Sequence, residues 1–329
     1  MRYGIAKRAR AVMLGCAAAL LMLGAAPAGK PPDKPADPPV KDWSNIETVY
    51  VRPEGSGPVL WHIGDAKSEV WILATVSPVP KDLHWETRGI ADILKGANVV
   101  LLPPSASVGL AEGLWFYMWH MDTLEQPDGM TLEASLPEPL KARFIAARAR
   151  TQKDADRYDK YLPAVAAMML ESDFQKAINF SYKEPQKTIE SLASQAGVPT
   201  HTIATYPAMD VIHDVPNMSA AAHRACMEYA LADIDTITAH GAAAAQAWAV
   251  GDMDGVKANY FETRLDACLS QSSAYSALRE RAINDEVTAI RAALRKPGKT
   301  FAVIPMGFFL RKGAVLDRLE AAGLTVTGP

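Results

Sequence analysis

The chain has 329 residues, 49% hydrophobic and 22% charged, with 34 basic against 37 acidic side chains and a formal net charge of −3. That balance, with no basic cluster, argues against a nucleic-acid or anionic-membrane partner. The length suits one domain near the upper end of the usual range.

The first residues carry Arg2, Lys7, Arg8 and Arg10 and no acid, and an uncharged run, AVMLGCAAALLML over 11–23, follows them. This is the layout of a signal peptide. The run is 13 residues long, and a membrane-crossing helix needs about 20. Ala26-Pro27-Ala28 supplies a small-x-small cleavage site, so residues 1–28 are predicted to be a Sec-type signal peptide cut after Ala28. The mature protein is then expected in the periplasm or secreted. A lipoprotein would use Cys16, but Met13-Leu14-Gly15 matches a lipobox poorly. Cleavage removes four basic residues and no acid, leaving 30 basic against 37 acidic residues, a net charge of −7. No later apolar run approaches spanning length, so no transmembrane segment is expected after cleavage.

Residues 29–42, GKPPDKPADPPVKD, hold five prolines and one large apolar residue, Val40. Such a composition builds no core and reads as a linker. The domain is expected over 43–329.

Its first elements are strands at 47–51, 59–64 and 70–76, the last two separated by the turn-like Asp65-Ala66-Lys67-Ser68. VWILATV is mostly apolar rather than alternating, which predicts a strand covered on both faces. A helix over 85–96 and a buried strand over 97–102 (ANVVLL) complete a strand-helix-strand unit. Helical periodicity then dominates, over 105–121, 135–150, 162–177, 187–196, 217–250 and 252–294. One strand, 199–204, interrupts it after Gly197, a helix stop. The end repeats the opening, with a strand over 300–304, a helix over 313–322 and a strand over 324–327. The predicted fold is α/β, with a mixed central sheet built from both chain ends, flanked by helices, and a large helical middle segment.

With Cys16 lost in the leader, Cys226 and Cys268 are the cysteines of the mature chain. In an oxidising compartment an even pair invites a disulfide, and two buried thiols are the alternative. The densest aromatic stretch, Trp115-Phe116-Tyr117-Met118-Trp119 with Met121, is expected to be mainly core, with a ligand groove or partner surface as the second reading. No nucleophile elbow, dinucleotide loop or Walker loop occurs, and no His-Glu-x-x-His pair. His213-Asp214 reads as a polar loop, Ser77 as a turn beside Pro78, and Asp252-Met253-Asp254-Gly255 as a helix boundary capped by Asp252 or Asp254.

The stretches LWHIGDAKSEVWILATVSPVPKDLHW, GIADILKGANVVLL and FAVIPMGFFLRKGAVLDRLEAAGLTV resemble the TraB/GumN family in order and spacing. Tyr161-Leu162-Pro163 and Ala247-Trp248-Ala249-Val250-Gly251-Asp252 extend the likeness over nearly the whole mature chain. The resemblance implies a metal-dependent hydrolase, in some members a protease. Such a protein is built on Gly-x-x-His after the early strand, Glu ending the next strand, and a second Gly-x-x-His after the late strand. Strand ends that converge at one sheet edge could hold a metal that activates water.

Here the first motif falls on Ala74-Thr75-Val76-Ser77, the acid on Pro103, the second motif on Pro305-Met306-Gly307-Phe308, and a further acid on or near Thr205. Serine, proline and phenylalanine replace the ligands, so no metal and no cofactor are expected. Arg281 stands near a position where the family often has arginine and could contact an anion. The resemblance therefore implies a non-catalytic relative that binds a peptide or small apolar ligand in the old cleft. The rival readings are an active hydrolase with a site relocated to His62, His84 or His213, and an envelope interaction protein that uses the aromatic helix.

Overall fold

A computed structural model describes residues 57–328. The predicted signal peptide, the proline-rich linker and the expected strand at 47–51 lie outside the described residues. Every described residue belongs to one compact unit.

The central sheet has six strands, in the order Val326–Thr327, Leu60–Gly64, Ser68–Thr75, Gly298–Pro305, Ala97–Leu102, Thr200–Thr202. The first two pairings are antiparallel and the other three parallel. It is a mixed sheet drawn from both ends of the chain, as the sequence predicts. Its two central strands pair from Ser68↔Gly298 to Thr75↔Pro305. Ile72, Leu73, Ala74 and Phe301 to Ile304 are all buried, because helices cover both faces. The first hairpin turns where Asp65 accepts the backbone N–H groups of Lys67 and Ser68 at 2.8 and 3.0 Å. Gly64 at φ 122° precedes it, and a Cβ there would lie 2.1 Å from the Ser68 carbonyl oxygen.

The helical middle builds a core of its own. Helices Pro163–Ala177 and Ala220–Thr236 bury Leu170, Phe174, Cys226, Leu231 and Ile234 against Phe144 and Tyr158. Prolines at the first turns and Gly197 at φ 70° mark the ends of several helices. A π-helical turn, Ile237–Gly241, joins Ala220–Thr236 to Ala242–Ala249.

Three expectations need correction. The helix expected over 105–121 begins at Leu110, because Ser105–Ser107 is a strand that pairs in parallel with Thr205–Pro207. The Ser105 N–H donates to the Ala204 carbonyl at 3.0 Å, which holds this segment in the ladder. The helix expected over 252–294 is three, Met253–Asn259, Leu265–Leu269 and Ser273–Ala293. Ser272 restarts the last by accepting the Tyr275 N–H at 3.1 Å.

Finally, the aromatic helix Leu110–Trp119 is not core. It buries Phe116 alone, while Leu110, Leu114, Trp115, Tyr117, Met118 and Trp119 are exposed, Leu110 to 90% and Trp119 to 68%. A helix apolar on every side can turn only one stripe inward when one neighbouring surface covers it.

Candidate functional site

In an open sheet with parallel strands, ligand groups gather beyond the carboxyl ends of those strands. Thr75, Leu102, Thr202 and Pro305 are the last residues of the four parallel strands. Ser77, Pro103, Thr205 and Phe308 follow within three residues of these ends, so the four positions that the sequence reading sets against the family's ligands share one edge of the sheet. Ser77 is half-buried and Pro103 likewise. The Thr205 hydroxyl lies 3.3 Å from that of Ser105.

The early strand end is walled by aromatic rings. The Trp248 indole N–H donates to the Ala74 carbonyl at 2.8 Å, and the Trp248 ring lies 5.0 Å from that of Trp85. The late strand runs from Pro305 into a short helix, Met306–Leu310, that the sequence reading missed. Met306, Gly307, Phe309 and Leu310 are buried, and Phe309 meets Trp61 edge-on at 5.0 Å. Gly307 lies close to Glu262, and a Cβ there would stand 3.0 Å from its carboxylate, so that side chain would have to shift. Glu262 in turn pairs with Arg311.

Hydroxyl, proline and phenyl groups offer a divalent cation neither an imidazole nor a carboxylate, so the residues at these positions do not fit the metal that the family resemblance implies. Among the described residues, no three His, Cys, Asp or Glu side chains gather as a metal site would require. His62 bonds Glu69 at 3.1 Å, near the amino ends of the parallel strands, where Glu69 pairs with Lys299. His84 is exposed in a loop, and His213 is exposed with its ring 5.5 Å from that of Phe116. Asp214, beside it, accepts the Ser272 hydroxyl at 2.6 Å. Asp252 caps a helix through the Gly255 N–H at 2.9 Å.

Helix Ser273–Ala293 brings the charge to this region. Arg281 lies over the Tyr206 ring at 5.1 Å and 3.8 Å from Asp285. Tyr206 donates to Asp285 at 2.6 Å. Arg279, two residues earlier and therefore on another side of the helix, stacks over Phe308 at 5.7 Å. It lines a cavity of about 280 Å³ with Arg311, Lys312, Arg318 and Glu280. Glu286, on the same helix, is fully buried, and neither carboxylate oxygen has a hydrogen-bond partner. Burial pushes its carboxyl up to about 8, so it is mostly protonated at neutral pH.

The sequence reading singled out Arg281 and passed over Arg279, Glu286 and Trp248's donor role. The signal for Glu286 was present: Ile283, Glu286 and Ile290 share one helical face, and the two isoleucines are buried. Cys226 and Cys268 are both buried and at disulfide distance, with Cα atoms 5.0 Å apart.

Fold and edge together define an α/β protein whose strand ends converge on one rim, with a helical middle segment that has its own core. The model of the TraB/PrgY/gumN family matches residues 59–328, and the chain belongs to that family. No curated protein and no solved structure matches it. No described helix is long and apolar enough to cross a membrane.

Proposed function

We propose that this protein is an exported, non-catalytic relative of metal-dependent hydrolases that binds a peptide or small ligand in the cleft at the sheet's carboxyl edge. The observation that carries the reading is the set Ser77, Pro103 and Phe308 at one rim. None of these side chains ligates a cation that could activate water. The basic leader and its apolar run support export to the periplasm or beyond. The test is hydrolysis of a fluorogenic peptide library by the purified protein, with manganese, cobalt or zinc added. No turnover above buffer is expected. Metal-stimulated cleavage that purifies with the chain overturns the reading.

One observation favours a second reading, an envelope interaction protein. Trp115, Met118 and Trp119 stand exposed at i, i+3 and i+4 spacing on one helix, with Tyr117 exposed beside them, and exposed apolar faces of this kind mark interaction surfaces. Replacing Trp115 and Trp119 with Ser is expected to leave the melting temperature within about 2 °C, since exposed side chains contribute little. It should also reduce hydrophobic-dye binding and self-association in sedimentation. Unchanged dye binding and sedimentation sink this reading.

A further inference from the structure

We propose that the cavity under helix Ser273–Ala293 is a binding site for a small oxyanion, a ligand that carries a carboxylate or phosphate group. The cavity adjoins the rim through Arg279, which lies over Phe308, and the proposal goes beyond the reading of the rim itself as a ligand cleft.

Four cations from separate segments line the cavity: Arg279 from the long helix, Arg311 and Lys312 after the short helix, and Arg318 from helix Val315–Ala321. Like charges drawn together repel unless a counter-charge lies between them. Three of the four are engaged by partners, Lys312 among them. Arg311 pairs with Glu262. Arg318 grips Glu280 through both ends of its fork, at 2.8 and 3.0 Å, and donates from Nε to the Gly313 carbonyl at 2.7 Å. These bonds hold the two guanidinium groups in place and use up the one carboxylate in the lining.

Arg279 differs. Among the described residues its guanidinium meets no carboxylate or carbonyl; it rests on the Phe308 ring. Its Nε is buried without a hydrogen-bond partner, as is the Nε of Arg311. A buried donor left unpaired is costly, and a charged one more so. The lining serines do not relieve it: the Ser270 and Ser276 hydroxyls donate to the carbonyls of Asp266 and Ser270, both at 2.8 Å, and neither accepts from the Arg279 Nε. What remains is a cationic fork backed by the Phe308 ring, in a cavity whose apolar wall includes Ile283. A guanidinium so placed matches two oxygens of a carboxylate or phosphate. Phe308, which stands where the family has histidine, becomes the platform for Arg279.

The test is isothermal titration calorimetry of the purified protein, expressed with its own leader, against inorganic phosphate and, separately, succinate in low-salt buffer. Saturable binding of one anion per chain is expected for at least one probe, and which probe binds distinguishes a phosphate from a carboxylate ligand. R279Q is expected to weaken it about tenfold or more, and R279K, which keeps the charge and loses the fork, to weaken it as well. R291Q, an exposed arginine of the same helix outside the cavity, should leave it within about twofold. No saturable binding of either probe up to about 10 mM, or binding unchanged in both Arg279 variants, overturns the proposal. Metal-stimulated peptide cleavage would sink the non-catalytic reading and leave this titration standing.

Discussion

Trp248 and Ala74, 174 residues apart in the chain, are joined by one buried hydrogen bond of 2.8 Å. Ala74 occupies the first position of the early motif, at the end of a core strand. The indole gives its carbonyl oxygen a buried side-chain donor. The strand end that would face a metal in the family resemblance is thus covered by an aromatic side chain. Trp248→Phe removes the donor and keeps most of the ring. We expect a loss of about 1–3 kcal/mol, read as a lower urea midpoint at unchanged slope. Trp248→Ala adds a cavity and should cost about 3–5 kcal/mol. An unchanged midpoint in Trp248→Phe would show that the bond contributes nothing.

Glu286 makes stability depend on pH in a definite direction. Its folded carboxyl is raised to about 8 from 4.5. Between those values the native state holds a proton that the unfolded chain releases, so stability falls as pH rises through the window. Glu171, which burial raises to about 7 despite bonds from Tyr182 and Gln175, adds to the same slope. Glu286→Gln keeps the shape and removes the titration. Thermal melts from pH 5 to 8.5 are expected to show a declining midpoint in the parent and a shallower decline in the variant, with the variant gaining relative to the parent at the alkaline end. Parallel curves would contradict the assignment.

The pair Cys226 and Cys268 closes a loop of 42 residues inside the helical core. Bridging that loop restricts the unfolded chain and is expected to stabilise by about 2–4 kcal/mol. Cys226→Ser with Cys268→Ser, or reduction, should lower the urea midpoint accordingly. Intact-mass measurement before and after alkylation checks the bond itself: both thiols labelling without reductant would contradict it.

The sheet was legible because VWILATV, ANVVLL and TFAVI are apolar on both faces, and burial of Ile72, Val100 and Val303 follows directly from that pattern. The helix around Trp115 misled for the same reason. A run apolar on every side carries no phase, so nothing in it says that Phe116 turns inward and Trp119 outward. The rim was legible through the register of the strand ends, which puts Ser77, Pro103 and Phe308 together once the strands are parallel. The cavity was not. Arg279 lies on one helix, and Arg311, Lys312 and Arg318 come more than thirty residues later, so their convergence depends on how Ser273–Ala293 packs against Val315–Ala321. A charged residue on a helix also reads by default as a solvated one, which hid Glu286 despite its buried neighbours Ile283 and Ile290.

The most direct test of the non-catalytic reading is the metal content of the purified protein, measured by elemental mass spectrometry after incubation with manganese, cobalt and zinc and exhaustive dialysis. With Ser77, Pro103 and Phe308 at the rim, we predict metal far below one equivalent per chain. Retention of about one equivalent, lost on chelation, would contradict it.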